Sequence, residues 1–213
     1  MALLIFDLDG TLIDSRLDLA NAVNATLRHM GMPTLPHETI FSYVGNGAPV
    51  LIQRAMGPSA SPEDVAVALE FFLDYYKRHA VDKTELYPGV QNALERLHGA
   101  GHSLAVLTNK PVRISRAIID HFDLSRLIAR TYGGNSFEQK KPHPMGIDTL
   151  RAELSAERED TWMVGDSAVD VQTARNAGVP VCGVTWGFQP ETLREFPPDI
   201  LVDRIEDFAE RFL

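Results

Sequence analysis

The residues whose types and spacing could do chemistry fall in four short stretches of this chain. "DLDGT" sets Asp7 and Asp9 one residue apart, with Gly10 and Thr11 behind them; "LTNK" carries Thr108, Asn109 and Lys110; "KKPHP" carries Lys140 and Lys141; "GDSAVD" carries Asp166, Ser167 and Asp170. Carboxylates gathered in a dry cleft cannot all stay ionised unless a cation joins them, and an all-oxygen donor set favours Mg2+ over zinc. Mg2+ uses one or two carboxylates plus a substrate phosphate, which leaves the other acids for covalent or proton-transfer work. Thr108, Asn109 and a lysine are suitable donors to phosphate oxygens. The combination predicts phosphoryl transfer on a small phosphorylated substrate.

Such residues must be brought together by the elements that precede them. Nearly continuous apolar runs at 3–6, 103–107, 161–164, 181–185 and 200–202 read as strands of a parallel sheet covered on both faces. Helical spacing at 88–100, 112–121, 144–154, 168–177 and 190–195 supplies the crossovers, so the expected fold is α/β, a doubly wound parallel sheet. In such sheets ligands sit outside the carboxyl ends of the strands, where the four stretches fall. The interval between the first two strands is too long for one crossover. It shows helical spacing at 17–30, 47–56 and 65–78, broken by "GMPTLP" and "GPSASP". The expected organisation is a catalytic core of residues 1–14 and 83–213 with an inserted all-helical subdomain of residues 15–82.

Composition narrows the function classes. The 213 residues are 45% hydrophobic and carry a formal net charge of −9 without any basic run, which disfavours nucleic acid and anionic membrane surfaces as partners. The apolar start lacks the basic flank of a secretion signal, and no later segment approaches the length of a membrane span, so a cytoplasmic location is expected. The single Cys182 cannot form an intramolecular disulfide and reads as a buried strand thiol rather than a nucleophile. His98 and His102 in "HGAGH" read as a helix end rather than a zinc pair, and Phe71, Phe72, Tyr75 and Tyr76 as the apolar face of a helix.

Taken in order, "DLDGT", "LTN", "KKPHP" and "GDSAVD" resemble the four motifs of the haloacid dehalogenase-like hydrolase superfamily along nearly the whole chain. The resemblance implies a Rossmann-like core in which Asp7 is the nucleophile toward phosphorus and Asp9 the general acid and base. It also implies Mg2+ held by the Asp7 carboxylate, the Asp9 backbone carbonyl and the Asp166 carboxylate, with Asp170 orienting that cluster from a second shell. Thr108, Asn109 and Lys141 would bind the transferring phosphoryl group, Lys141 being preferred to Lys140 because it directly precedes Pro142. The insert resembles a helical cap that closes over the site. Its segment "YVGNGAPVLIQRAM" looks most like that of bacterial phosphoglycolate phosphatases, and the turn at Gly45, Asn46 and Gly47 is expected to offer backbone amides to the substrate's carboxylate. The expected reaction is hydrolysis of 2-phosphoglycolate by a monomer or homodimer. A β-phosphoglucomutase-like phosphomutase or a pyrophosphatase could use the same machinery, and a catalytically silent metal-binding protein is the non-enzyme alternative.

Overall fold

In the computed structural model, which describes residues 1–213, the chain divides into two compact units. Met1–Asp14 with Leu86–Leu213 form one and Ser15–Glu85 the other. In chain order the elements are β1 (Leu3–Phe6), β2 (Ile13–Asp14), α1 (Arg16–His29), α2 (His37–Phe41), α3 (Ala48–Met56), α4 (Pro62–His79), β3 (Glu85–Leu86), α5 (Val90–Gly99) and β4 (Ser103–Leu107). Then follow α6 (Val112–His121), β5 (Ile128–Tyr132), α7 (Met145–Glu153), β6 (Thr161–Gly165), α8 (Ala168–Ala177), β7 (Val181–Val184), a 3-10 turn (Pro190–Arg194), β8 (Ile200–Val202) and α9 (Ile205–Ala209).

The larger unit is built on a six-stranded sheet in the order β5-β4-β1-β6-β7-β8, every pairing parallel. All four side chains of β1 are buried, and fully burying a Leu, Ile or Phe contributes about 1.5–3 kcal/mol. Leu3 and Ile5 pack with Ile147 and Leu150 of α7 and Val171 and Ala174 of α8. On the other side, Phe6 meets the edge of Phe208 in α9 at 6.1 Å. A strand sandwiched this way must be apolar throughout, which explains the run in the sequence. The chain leaves β1 for β4 and β5 on one side and returns to β6 on the other, so β1 lies at the point where strand order reverses, the usual binding crevice of an open α/β sheet.

Five elements escaped the sequence reading, among them β2 and β3, which are only two residues each. Strand β5 has no continuous apolar run because it is an edge: Ala129 and Arg130 are exposed, and Arg130 Nε donates to Glu153 Oε2 at 3.0 Å. Helices α2 and α9 are only five residues each, too short for a periodicity to register. The segment expected to be helical at 190–195 is a 3-10 turn.

The smaller unit holds α1–α4. Helix α4 carries its own start and stop signals: the Ser61 hydroxyl accepts the Asp64 N–H at 3.1 Å, Pro62 opens the first turn with Glu63 and Asp64, and Lys77, Arg78 and His79 close the last. Phe72 and Tyr76 point into the unit's core. Phe71 and Tyr75, one residue before each, are only half-buried and stack outward, Phe71 on His29 and Tyr75 on His79. A buried acid closes the unit: one oxygen of Asp18, Oδ2, accepts the N–H groups of Lys83 and Thr84 and the Thr84 hydroxyl, at 2.8–2.9 Å. Replacing Asp18 by Ala would leave two amides and a hydroxyl without their acceptor, so Asp18→Ala is expected to destabilise this unit by about 2–3 kcal/mol in urea unfolding. An unchanged unfolding midpoint would contradict that role.

Candidate active site

The site forms within the larger unit, at the carboxyl ends of β1 and its two neighbours. Asp7 and Asp9 follow β1, Thr108–Lys110 follow β4, and Asp166 follows β6. Parallel pairing brings these ends together: the Asp7 N–H donates to Val164 O at 2.9 Å, continuing the ladder past Phe6. The tight turn after Asp9 needs Gly10, whose φ is +80° and where a Cβ would strike the Asp166 carboxylate. Gly165 admits Asp170 in the same way.

Each carboxylate has a defined setting. Asp7 Oδ1 accepts the N–H of Leu8 at 2.7 Å, and Asp7 Oδ2 lies 2.9 Å from Lys141 Nζ. The same ammonium donates to Asp170 Oδ1 at 2.6 Å, while Asp170 Oδ2 turns back to the Ser167 N–H and hydroxyl at the start of α8. Asp166 Oδ2 accepts the backbone N–H groups of Phe188 and Gln189. Asp7, Asp166 and Asp170 offer oxygens within 4.8 Å of one another. Thr108 and Asn109 are both buried; the Thr108 hydroxyl accepts the Lys110 N–H, and Asn109 Nδ2 donates to the carbonyl of Lys141 at 3.2 Å. Lys140 is exposed, whereas Lys141 is buried between two acids.

Sequence reasoning gave no role to Lys110, although it follows directly on "TN". Its ammonium is buried and grips both oxygens of Asp9, at 2.9 and 3.1 Å. The signal was present, since a lysine at a strand end beside an acid cluster is a natural counter-charge, but only folding shows which acid it meets. The turn at 186–189 was missed too: the groups it offers Asp166 are the backbone amides of Phe188 and Gln189, which leave no trace in residue type. Gly45, Asn46 and Gly47 lie in the smaller unit, where Gly45 (φ +113°) and Gly47 (φ +85°) turn the chain into α3. The remaining candidates have structural duties. Cys182 is wholly buried in β7, burial pushing its thiol up to about 12, and His102 is engaged by the Ala2 N–H and the Phe212 carbonyl.

Burial dominates the electrostatics. It pushes the Asp166 carboxyl up to about 8, aided by the neighbouring charges of Asp170 and Asp7. It raises Asp7 to about 6 against the pull of Lys141. Burial works against the charge of Lys141 as well, yet Asp170 and Asp7 outweigh it and hold the ammonium protonated. Asp7 is thus pushed toward its neutral form, while the carboxylate of Asp9 faces the ammonium of Lys110. Crowded, all-oxygen, desolvated acids of this kind fit a hard divalent cation, which would let Asp7 and Asp166 ionise.

Two outcomes follow. With both carboxyls raised above their ordinary value, the folded chain binds more protons than the unfolded one, so in EDTA their contribution to stability falls as pH rises from about 4 to about 8. A divalent cation replaces those protons, and the gain in melting temperature on adding excess Mg2+ is expected to be larger at about pH 8 than at about pH 5; an equal gain at both would contradict it. Lys110→Met, which keeps the stem and removes the charge, should lower turnover at least about tenfold by leaving Asp9 without its counter-ion, and Lys110→Arg should restore part of it. Phosphate release assays would show this, and undiminished turnover in Lys110→Met would refute it.

Comparison with known proteins agrees with this geometry. The sequence pattern of the haloacid dehalogenase-like hydrolases matches residues 4–184. The chain is 36% identical to a phosphoglycolate phosphatase of Vibrio parahaemolyticus, over 98% of this chain and 94% of that one. It is 37% identical to that of Haemophilus influenzae, over 96% and 94%. A crystal structure of a predicted phosphoglycolate phosphatase from Haemophilus somnus superposes with a TM-score of 0.94 at 31% identity, covering 100% of this chain and 98% of that one. A further structure, of a putative phosphoglycolate phosphatase from Lactobacillus delbrueckii, gives 0.92 at 27%, covering 100% and 99%. With its parallel sheet and its acids at the strand ends, the chain belongs to the haloacid dehalogenase-like hydrolase family and is a phosphoric monoester hydrolase.

Proposed function

We propose that this chain is a cytoplasmic Mg2+-dependent phosphatase that hydrolyses 2-phosphoglycolate to glycolate and phosphate through an aspartyl-phosphate on Asp7. The observation that carries this reading is the setting of Asp7. Its carboxylate is fixed from both sides, by the Leu8 N–H on one oxygen and Lys141 on the other, next to the buried Asp166. The full-length likeness to phosphoglycolate phosphatases supports the choice of substrate.

In the first step an Asp7 oxygen forms a bond to phosphorus as the bond from phosphorus to the glycolate oxygen breaks, and Asp9 gives that oxygen its proton. In the second step Asp9 takes a proton from water as the water oxygen attacks phosphorus, releasing phosphate and restoring the Asp7 carboxylate. Thr108, Asn109 and Lys141 would hold the phosphoryl oxygens, with Lys141 balancing the charge that builds on them. Asp7, the Asp9 carbonyl and Asp166 would hold Mg2+, with Asp170 behind them; when bound, the ion neutralises phosphoryl charge. Asp170 also fixes the Lys141 ammonium. The turn at Gly45, Asn46 and Gly47 would read the carboxylate of the substrate through its backbone amides.

Asp7→Asn should abolish labelling of the enzyme by substrate phosphate, and persistent labelling would refute the nucleophile. Across a panel of small phosphomonoesters, pyrophosphate and sugar phosphates, 2-phosphoglycolate should give the highest kcat/KM with stoichiometric phosphate release. Isomerisation of a sugar phosphate without release would instead identify a mutase.

A further inference from the structure

Asp166 commits only one of its two oxygens to the protein. Oδ2 accepts the N–H of Phe188 at 2.6 Å and that of Gln189 at 3.3 Å. Two glycines leave it room there, since a Cβ on either Gly10 or Gly187 would collide with the Asp166 side chain. The turn that carries the two amides, residues 186–189 after β7, is itself anchored by contacts that do not touch Asp166. Trp186 Nε1–H donates to the Thr11 carbonyl at 3.2 Å. The Thr192 hydroxyl donates to the Gln189 carbonyl at 2.7 Å and accepts the N–H of Ala168, the first residue of α8, at 2.9 Å. The turn is therefore tied both to the loop that follows Asp7 and Asp9 and to the helix that begins just after Asp166.

We propose that this turn selects the cation: by engaging Oδ2 it restricts Asp166 to coordination through Oδ1 alone, which suits Mg2+ and handicaps Ca2+. The inference rests on the reading of Asp166 as a metal ligand. Mg2+ takes six ligands at about 2.0–2.1 Å in strict octahedral geometry, whereas Ca2+ takes six to eight at about 2.3–2.6 Å and readily uses both oxygens of a carboxylate. Turning Oδ2 toward a Ca2+ ion would break a short charge-assisted bond to the half-buried Phe188 and a second to Gln189. Thr192 and Trp186 are positioning residues here, acting on Asp166 through the turn.

The test is calorimetric titration of the EDTA-stripped protein with MgCl2 and, separately, CaCl2, on the unmodified chain and on Thr192→Val and Trp186→Phe, each variant's fold being checked by its thermal transition. The unmodified chain should bind Ca2+ no more tightly than Mg2+. Each variant removes one side-chain anchor of the turn and should shift the Ca2+-to-Mg2+ affinity ratio toward Ca2+ by about tenfold, the scale on which partners of metal ligands act. A purely structural role would lower the melting temperature without moving that ratio. An unmoved ratio in the folded variants, or unmodified protein that prefers Ca2+ tenfold or more, would overturn the inference and leave the magnesium reading standing. Failure of the unmodified chain to bind Mg2+ at all would overturn the metal reading and this inference together.

Discussion

Crowding of carboxylates at the ends of β1 and β6 is the constraint on which the rest of the site depends. Asp7, Asp166 and Asp170 bring oxygens within 4.8 Å of one another in surroundings dry enough to push two of them well above their ordinary range. Acids so placed repel one another and lack water to solvate them, so each needs a fixed compensating partner. The larger unit supplies these in three forms: two buried ammonium groups, backbone N–H groups, and glycines that let the acids approach.

The compensation is unevenly distributed, and this differentiates the acids. Lys141 serves Asp7 and Asp170 together, and Lys110 serves Asp9. Asp166 has no lysine within salt-bridge distance and relies on amides, and burial raises it further than Asp7. An acid raised in this way gains most from a bound cation. The same arrangement separates Asp7 from Asp9 although they are two residues apart on one loop: they face different lysines.

Much of this was legible in the chain because the residues concerned follow strands. A strand buried on both faces must be apolar, and β1, β4, β6 and β7 advertise themselves as such, while edge strand β8 is apolar although its Leu201 is exposed. Long crossover helices carry their own periodicity, and Ser61, Pro62 and the charges at the two ends of α4 mark its limits locally. Edge strand β5 and the five-residue helices α2 and α9 carry no comparable pattern, since an edge can be charged and a single turn has no period. The stacked pair Phe71 and His29 was hidden for a related reason, because periodicity puts Phe71 on a helix face without telling how deeply that face is covered.

By itself the sequence determined the inventory of candidate groups: Asp7, Asp9, Thr108, Asn109 and Asp166 stand where apolar runs end, Lys141 and Asp170 stand in the short motifs "KKPHP" and "GDSAVD", and residue type with strand position is local information. The tertiary structure alone decided the pairing. That Lys110 grips Asp9, that Lys141 bridges Asp7 and Asp170, and that the amides of Phe188 and Gln189 face Asp166 all depend on strand order about β1, which brings β4 and β6 to either side of it. Partners about 100 residues apart along the chain become hydrogen-bond neighbours only when the sheet closes, and a backbone amide contributes to a site by where it points rather than by the residue that carries it.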